Sequence, residues 1–287
     1  MPLIDPKLLA LTTAVSFGIA PVLLKLAFRR GGAMTVGLVV GQVSTVALNL
    51  GLLAVMDPQL SRLTPLAVGA FIAGGLAGTA IGRRWAYESI NLLGPSRSTT
   101  IRSASPVITT LLAIAFLGED VGPGRWAAIL AVVLGAATVS WTPGNGRRAW
   151  LGKGVVYSLL AAAIYGIRPL VVKAGLDEAD LPLAAALIGS SAALLYTLAF
   201  ENRRQLRGFQ LDSAFRWFLV AGVLQAVGIT TLTFGLAGGD ASVIYSLTTS
   251  APLFTLLFTW LVMRDVERIT PSVMVGTVLT VSGVILL

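Results

Sequence analysis

The chain contains no cysteine and no histidine. That removes the usual ligands of zinc, haem and iron–sulfur clusters, and the usual base beside a catalytic nucleophile. Neither a metal nor any other cofactor is expected. Charge is scarce too: 12% of the 287 residues are Asp, Glu, Lys or Arg, about half the share of a soluble domain. No GxxxxGK[ST] loop occurs, so direct use of ATP is excluded. Long polar connections are also missing. Only 142–152 and 202–213 exceed a tight turn, and neither could hold an extramembrane domain.

What is present is apolar. Hydrophobic residues make up 55% of the chain and the mean hydropathy is +0.84. Runs of about 20 such residues cross a hydrocarbon layer of roughly 30 Å. In lipid each crossing must satisfy its own backbone, which selects helices, and the alternating segments of about 10 residues that mark a membrane β-barrel are missing. The apolar runs predict an all-α polytopic membrane protein with ten spans: 8–28, 34–56, 65–91, 95–117, 124–141, 153–175, 182–201, 215–236, 241–263 and 271–287. Asp5 and Lys7 precede the first run and no small-residue cleavage site follows it, so it reads as a retained helix. The net charge of +8 sits in short turns between spans and gives no reason to expect nucleic acid.

The spans repeat. FGIAPVLLK at 17–25 returns as YGIRPLVVK at 165–173, Pro106 and Thr109 return as Pro252 and Thr255, and Pro123 and Pro271 open the fifth and tenth spans. The stretches around Pro106 and Pro252 share an apolar half that ends in Glu119 or Asp265; they differ in their polar half, where Arg97 and Arg102 have no arginine counterparts. The chain is thus two five-helix repeats, 1–146 and 147–287. Five is odd, so the second repeat enters the membrane upside down. Inverted repeats let two bundles rock around a shared site at the midplane, the basis of alternating access. The other reading is a duplication retained for stability.

Orientation follows from charge. Arg29, Arg30, Arg147, Arg148, Lys153, Arg203, Arg204, Arg207, Arg264 and Arg268 fall on one face; the other has mainly Lys7, Arg62, Arg125 and Lys173, beside Asp177, Glu178 and Asp180. The positive-inside rule then puts both termini outside the cytoplasm.

Five-plus-five short helices, Gly-Pro pairs in the first and sixth, and the pattern of small residues, Pro106, an apolar run and Gly118-Glu119 together resemble the drug/metabolite transporter superfamily, in particular its ten-helix EamA-like members. The resemblance covers nearly the whole chain. It implies a cavity lined by spans one to four and six to nine, with five and ten peripheral. It also implies export or exchange of small metabolites, a bacterial plasma (inner) membrane, and a monomer or homodimer in contact with lipid. Ten-helix members usually have cytoplasmic termini, opposite to the charge count.

Several polar residues interrupt the spans. Arg83 lies inside the third span without a local partner, whereas Arg84 can pair with Glu88 four residues on. Arg102 lies two turns into the fourth span among Ser98, Thr99, Ser103 and Ser105, and Arg168 precedes Pro169 in the sixth, where the first repeat has Ala20. Ionisable groups at such depth usually face a cavity or a partner, and guanidinium groups hold carboxylate or phosphate through paired hydrogen bonds. Arg83, Arg102 and Arg168 are therefore candidate contacts to an anionic substrate; the other reading is snorkelling to lipid phosphate. Tyr165, Trp85, Gln42, Gln225 and Tyr245 are candidate cavity residues, with Phe17 and Tyr87 beside them. Polar groups in lipid-embedded helices equally serve to join helices. Gly74, Gly78 and Gly82 form a ridge for close packing, and Lys25 and Lys173 read as caps of helix carbonyl ends.

No carboxylate occurs in the first span, and Glu88, Glu119, Asp240 and Asp265 lie near span ends. Proton-driven export of cations, which needs a membrane-embedded carboxylate, therefore fits poorly. A neutral, zwitterionic or anionic metabolite fits better: an amino acid, or an organic or phosphorylated anion. The alternatives are a flippase for an anionic lipid or polyprenyl phosphate, whose headgroup would meet the same arginines, and a membrane-embedded enzyme, which the lack of histidine and cysteine opposes.

Overall fold

The computed structural model describes residues 5–56, 60–108, 111, 122–140, 152–201, 203–207, 211–239, 244, 247–263 and 269–286. Among these the fold is helical throughout, in chain order α1 (Pro6–Arg29), α2 (Met34–Met56), α3 (Pro65–Leu93), α4 (Pro95–Arg102), α5 (Pro123–Ser140), α6 (Lys153–Ala179), α7 (Pro182–Phe200), α8 (Ser213–Gly238), α9 (Ala251–Met263) and α10 (Pro271–Leu286). Single helical turns at Leu60–Arg62 and Arg203–Arg207 lie in connections. Six helices, α1, α2, α3, α6, α7 and α8, are long and apolar enough to cross a membrane by themselves.

Local chemistry sets the ends. The Asp5 carboxylate accepts from Lys7 N at 2.8 Å ahead of Pro6, and Thr64 Oγ1 accepts from Ala67 N at 3.2 Å ahead of Pro65; each closes a first turn whose N–H groups have no helical acceptor. Asp212 accepts from Phe215 N at 2.9 Å, so α8 starts two residues earlier than its apolar run. At its far end α6 outlasts its apolar run, because Asp180, in the left-handed region at φ 42°, closes the last turn by bonding back to Leu176 O.

The fourth span is not one continuous helix. A turn at Ser103 and Ala104 interrupts it just before Pro106. The second repeat does the same at Thr249 and Ser250, before Pro252. Proline cannot donate to the preceding turn and its ring clashes with that turn's carbonyl, so the two prolines explain two breaks at matching places.

Packing follows the duplication. α1 packs on α8 and α9 as α6 packs on α3 and α4; α2 packs on α8 as α7 packs on α3; α2–α7 and α5–α10 pair across the axis that relates the halves. The α5–α10 pair stands largely apart, with Gly135 against Gly276 and Thr280. Two apolar clusters form between the repeats. One gathers Phe71, Leu176, Leu181, Leu232, Leu236 and Ile244, the other Leu24, Leu38, Tyr87, Ile90 and Phe218.

Lys25 and Lys173 cap neighbouring helices rather than their own. Lys25 Nζ donates to Asn91 O in the last turn of α3 at 2.5 Å, and Lys173 Nζ donates to Leu236 O near the end of α8 at 3.2 Å. The cause is topological: α1 and α3 end on the same face, as do α6 and α8, so the lysine meets the negative end of the helix beside it.

Candidate functional site

Between the two apolar clusters lies a cavity of about 150 Å³. Both repeats build it. The first contributes Phe17 and Pro21 from α1, Thr79, Arg83 and Tyr87 from α3, and Thr99, Arg102, Ser103 and Ser105 from around the break in the fourth span. The second contributes Tyr165 and Arg168 from α6, Gln225, Ile229 and Leu232 from α8, and Thr248 and Thr249 at the other break. Both interrupted spans therefore meet the cavity where their helices break, an arrangement that presents unwound backbone and hydroxyl groups at mid-membrane depth.

α3 carries the most polar wall, and its backbone explains how. From Gly75 to Gly82 it is a π-helix, with Arg83 N bonding back five residues to Gly78 O. The two repeats mark the insertion. Gly75 lies against the backbone of Gly189, and Gly82 against the Tyr165 ring; in the other half Gly222 lies against Gly41, and Gly228 against the Phe17 ring. Seven steps separate Gly75 from Gly82, six separate Gly222 from Gly228. α3 thus holds one residue more than α8 between equivalent contacts, and the wider turn absorbs it.

Arg83 directly follows that segment. It is 6% exposed, and its Nη1 has no hydrogen-bond partner among the described residues. Its neighbour Arg84 differs in every respect. Half-exposed, it reaches Glu88 Oε1 at 2.7 Å and Glu201 Oε1 at 3.0 Å, and also meets Met34 Sδ, joining α3 to the ends of α2 and α7. One turn beyond Arg83, the Tyr87 hydroxyl donates to Gln225 Oε1 at 3.0 Å and accepts from Gln225 Nε2 at 2.8 Å, a pair that links the repeats through the cavity wall.

Arg102 Nη2 donates to Thr99 Oγ1 at 3.3 Å, and its guanidinium stands 5.8 Å from the centre of the Tyr165 ring, within cation–π range. Arg168 enters from α6 across the glycine ridge of α3, where a Cβ on Gly78 would run into its Cδ and Nε. Gly74 makes the same room for Val172, and Gly82 for Tyr165 and Ile164. The ridge fits α3 to the arginine-bearing face of α6. No Asp or Glu lines the cavity among the described residues.

Of the residues that sequence reasoning nominated, the structure brings Arg83, Arg102, Arg168, Tyr165 and Gln225 to one cavity. Gln42 is fully buried away from it: its Nε2 donates to Thr79 O in the π-helical segment at 3.2 Å and to Thr197 Oγ1 at 2.9 Å. Trp85 is half-buried and off the cavity wall. Tyr245 lies outside the described residues. Other intramembrane polar groups join helices: Asn49 Nδ2 to Thr230 Oγ1 at 3.0 Å, Thr100 to Thr277 at 2.8 Å, Thr13 to Thr231 at 2.8 Å, and Thr255 Oγ1 to Gly18 O at 2.9 Å. Sequence reasoning missed Thr79 and Ile229. Matching the halves at Gly82 and Gly228 sets Thr79 opposite Gln225 and Ile229 opposite Arg83, a signal that was available.

A helical bundle of two repeats closed around a polar midplane cavity is the build of a secondary membrane transporter. The model of the EamA-like transporter family matches the chain twice, over residues 7–141 and 152–287, and the chain belongs to that family. Over 186 residues it is 31% identical to a riboflavin transporter of Rhizobium johnstonii, covering 63% of this chain. The match takes in 53% of the relative, so this chain spans about half the length of that curated protein. A crystal structure 18% identical in sequence superposes with a TM-score of 0.67 over 98% of this chain and 96% of the other, a likeness of fold. The protein is a multi-pass integral membrane transporter for a small molecule.

Proposed function

We propose that this transporter carries a small organic anion, a carboxylate or a phosphorylated metabolite, or an amino acid bound through its carboxylate, by alternating access of the repeats 1–146 and 147–287. The observation that carries the reading is the convergence of Arg83, Arg102 and Arg168 on one cavity whose described lining holds no carboxylate. A buried cation left without a counter-ion is costly in a span, and a substrate anion relieves that cost when it binds. Arg102 over Tyr165 offers a planar donor edge beside an aromatic face, while Tyr87 and Gln225 shape the opposite wall. Tyr245, by its place in the ninth span, joins that set.

Size narrows the substrate. A cavity near 150 Å³ is of the order that accommodates a benzene-sized molecule. The conformation therefore suits a metabolite of a few carbons, and a flavin of the kind named for the Rhizobium johnstonii relative requires the repeats to part further. The clustering of basic residues on one face supports termini outside the cytoplasm. Reporter fusions at Met1 and Leu287 test this, and a cytoplasmic signal at both would reverse the orientation.

Thermal unfolding of the detergent-purified protein against small carboxylates, phosphorylated metabolites, amino acids, sugars, riboflavin and flavin mononucleotide tests the substrate class. Small anions are expected to raise the melting point of the parent protein and not of Arg83→Ala or Arg102→Ala. Stabilisation by neutral or aromatic compounds alone, unchanged in those variants, would sink the anion reading.

A further inference from the structure

Behind the main cavity lies a second, closed chamber of about 10 Å³ between α3, α6, α7 and α8. Thr79, Ser190 and Thr233 bring hydroxyl groups to it from three helices, and Arg168 borders it as well as the main cavity. Thr79, Ser190 and Thr233 are 3%, 1% and 2% exposed, and the Ser190 hydroxyl has no hydrogen-bond partner among the described residues. The remaining wall is apolar or glycine, and it includes no described carboxylate.

The duplication shows why the chamber is open. Matching the halves sets Ser190 opposite Gln42, Thr79 opposite Gln225 and Thr233 opposite Tyr87. In that mirror-image place the three larger side chains fill the space, with Gln42 bonded to Thr79 O and Tyr87 bonded to Gln225. Here three small hydroxyl residues stand instead, and Arg168 replaces Ala20. The space is therefore polar by composition, with a donor aimed into it and a guanidinium at its edge.

We propose that this chamber is a binding site for a monatomic halide, chloride in the cell. The room is about that of one water molecule, which excludes any organic metabolite. The lining selects sign: hydroxyl and guanidinium N–H groups donate to an anion, and the absence of a carboxylate among the described lining leaves a metal cation no charged ligand. Ser190 supplies the O–H donor. Thr233 Oγ1 donates to Thr230 O at 2.9 Å, so its hydroxyl proton is already engaged.

The test is thermal unfolding of the purified full chain in sodium gluconate, titrated with sodium chloride or bromide at constant ionic strength. Saturable stabilisation is expected, about 2–4 °C at saturation. Ser190→Ala and Thr79→Val should each abolish or sharply weaken it, while Arg102→Ala, which lies on the main cavity alone, should keep it. Anomalous scattering from a bromide-grown crystal, with a peak between Ser190 and Arg168, gives a readout that needs no variant. Equal melting points in chloride and gluconate, or an absent bromide peak, would mean that the chamber holds water only. Halide stabilisation lost in Arg102→Ala but kept in Ser190→Ala would move the ion to the main cavity. That outcome overturns the chamber site and leaves the organic-anion reading standing, since the metabolite panel is run without halide.

Discussion

The two repeats solve the same packing problem with the same small residues, then furnish the shared interior differently. Gly41 against Gly222 mirrors Gly189 against Gly75, Phe17 on Gly228 mirrors Tyr165 on Gly82, and Lys25 on the end of α3 mirrors Lys173 on the end of α8. At the cavity the correspondence fails. Ile229 stands where Arg83 does, Thr248 where Arg102 does and Ala20 where Arg168 does. Close backbone approach must be satisfied in both halves for the bundle to form, while a binding site needs its polar groups only once. The symmetric residues thus report on architecture, and the asymmetric ones on the transported molecule.

The largest expected effect tests the architectural side where the mirror is imperfect. A Cβ on Gly75 meets the backbone of Gly189, which cannot swing away; on Gly222 it meets Ser44 Oγ at 2.9 Å and Gly41 Cα at 3.2 Å, of which the first can rotate. Gly75→Ala should cost about 3 kcal/mol or more and Gly222→Ala about 1 kcal/mol, read as a larger fall in melting point for the first. Equal falls would show that the π-helical segment yields as easily as regular helix, and would remove the case for a wider turn fitted to its neighbour.

The next test sets Arg83 against its counterpart Ile229. Arg83→Leu should weaken binding of a stabilising anion about 10- to 100-fold, the worth of a hydrogen bond to a charged group. The melting point without ligand should hold or rise, since a buried charge lacking a partner is replaced by an apolar group. Ile229→Val should do the reverse, costing about 1 kcal/mol of stability with anion affinity unchanged. An Arg83→Leu protein that loses stability and keeps its affinity would make the arginine structural.

This contrast also explains what could be read before any coordinates. Span number and the duplication follow from hydropathy and paired motifs, because lipid leaves the backbone little choice. The arginines stood out because a charge inside a span is rare. Gln42 was ambiguous: an amide in a helix can face a cavity or a neighbouring carbonyl, and its choice of Thr79 O depends on a carbonyl exposed in a π-helical turn. That turn is a one-residue insertion, visible only when contacts in both halves are matched. Arg84 shows the legible extreme, since its pairing with Glu88 follows from spacing alone, though the reach to Glu201 at the end of α7 needed the fold.

The smallest effect tests the symmetric pair of lysines. Lys25→Met and Lys173→Met should each cost about 1 kcal/mol, by taking a cation from the negative end of a neighbouring helix. Lys25 makes the shorter bond, 2.5 Å against 3.2 Å, and Lys173 divides its charge with Asp177 at 2.9 Å, so Lys25→Met should cost slightly more. The caps lie at opposite faces of the membrane and share no partner. The double variant should therefore lose the sum of the two within about 0.5 kcal/mol. A clear departure from additivity in melting would mean that the two faces are coupled through α1 and α6, and that the caps also bias which face opens. Alternating access needs just such a coupling, so that failure would shift the two lysines from the architectural side of the comparison to the functional one.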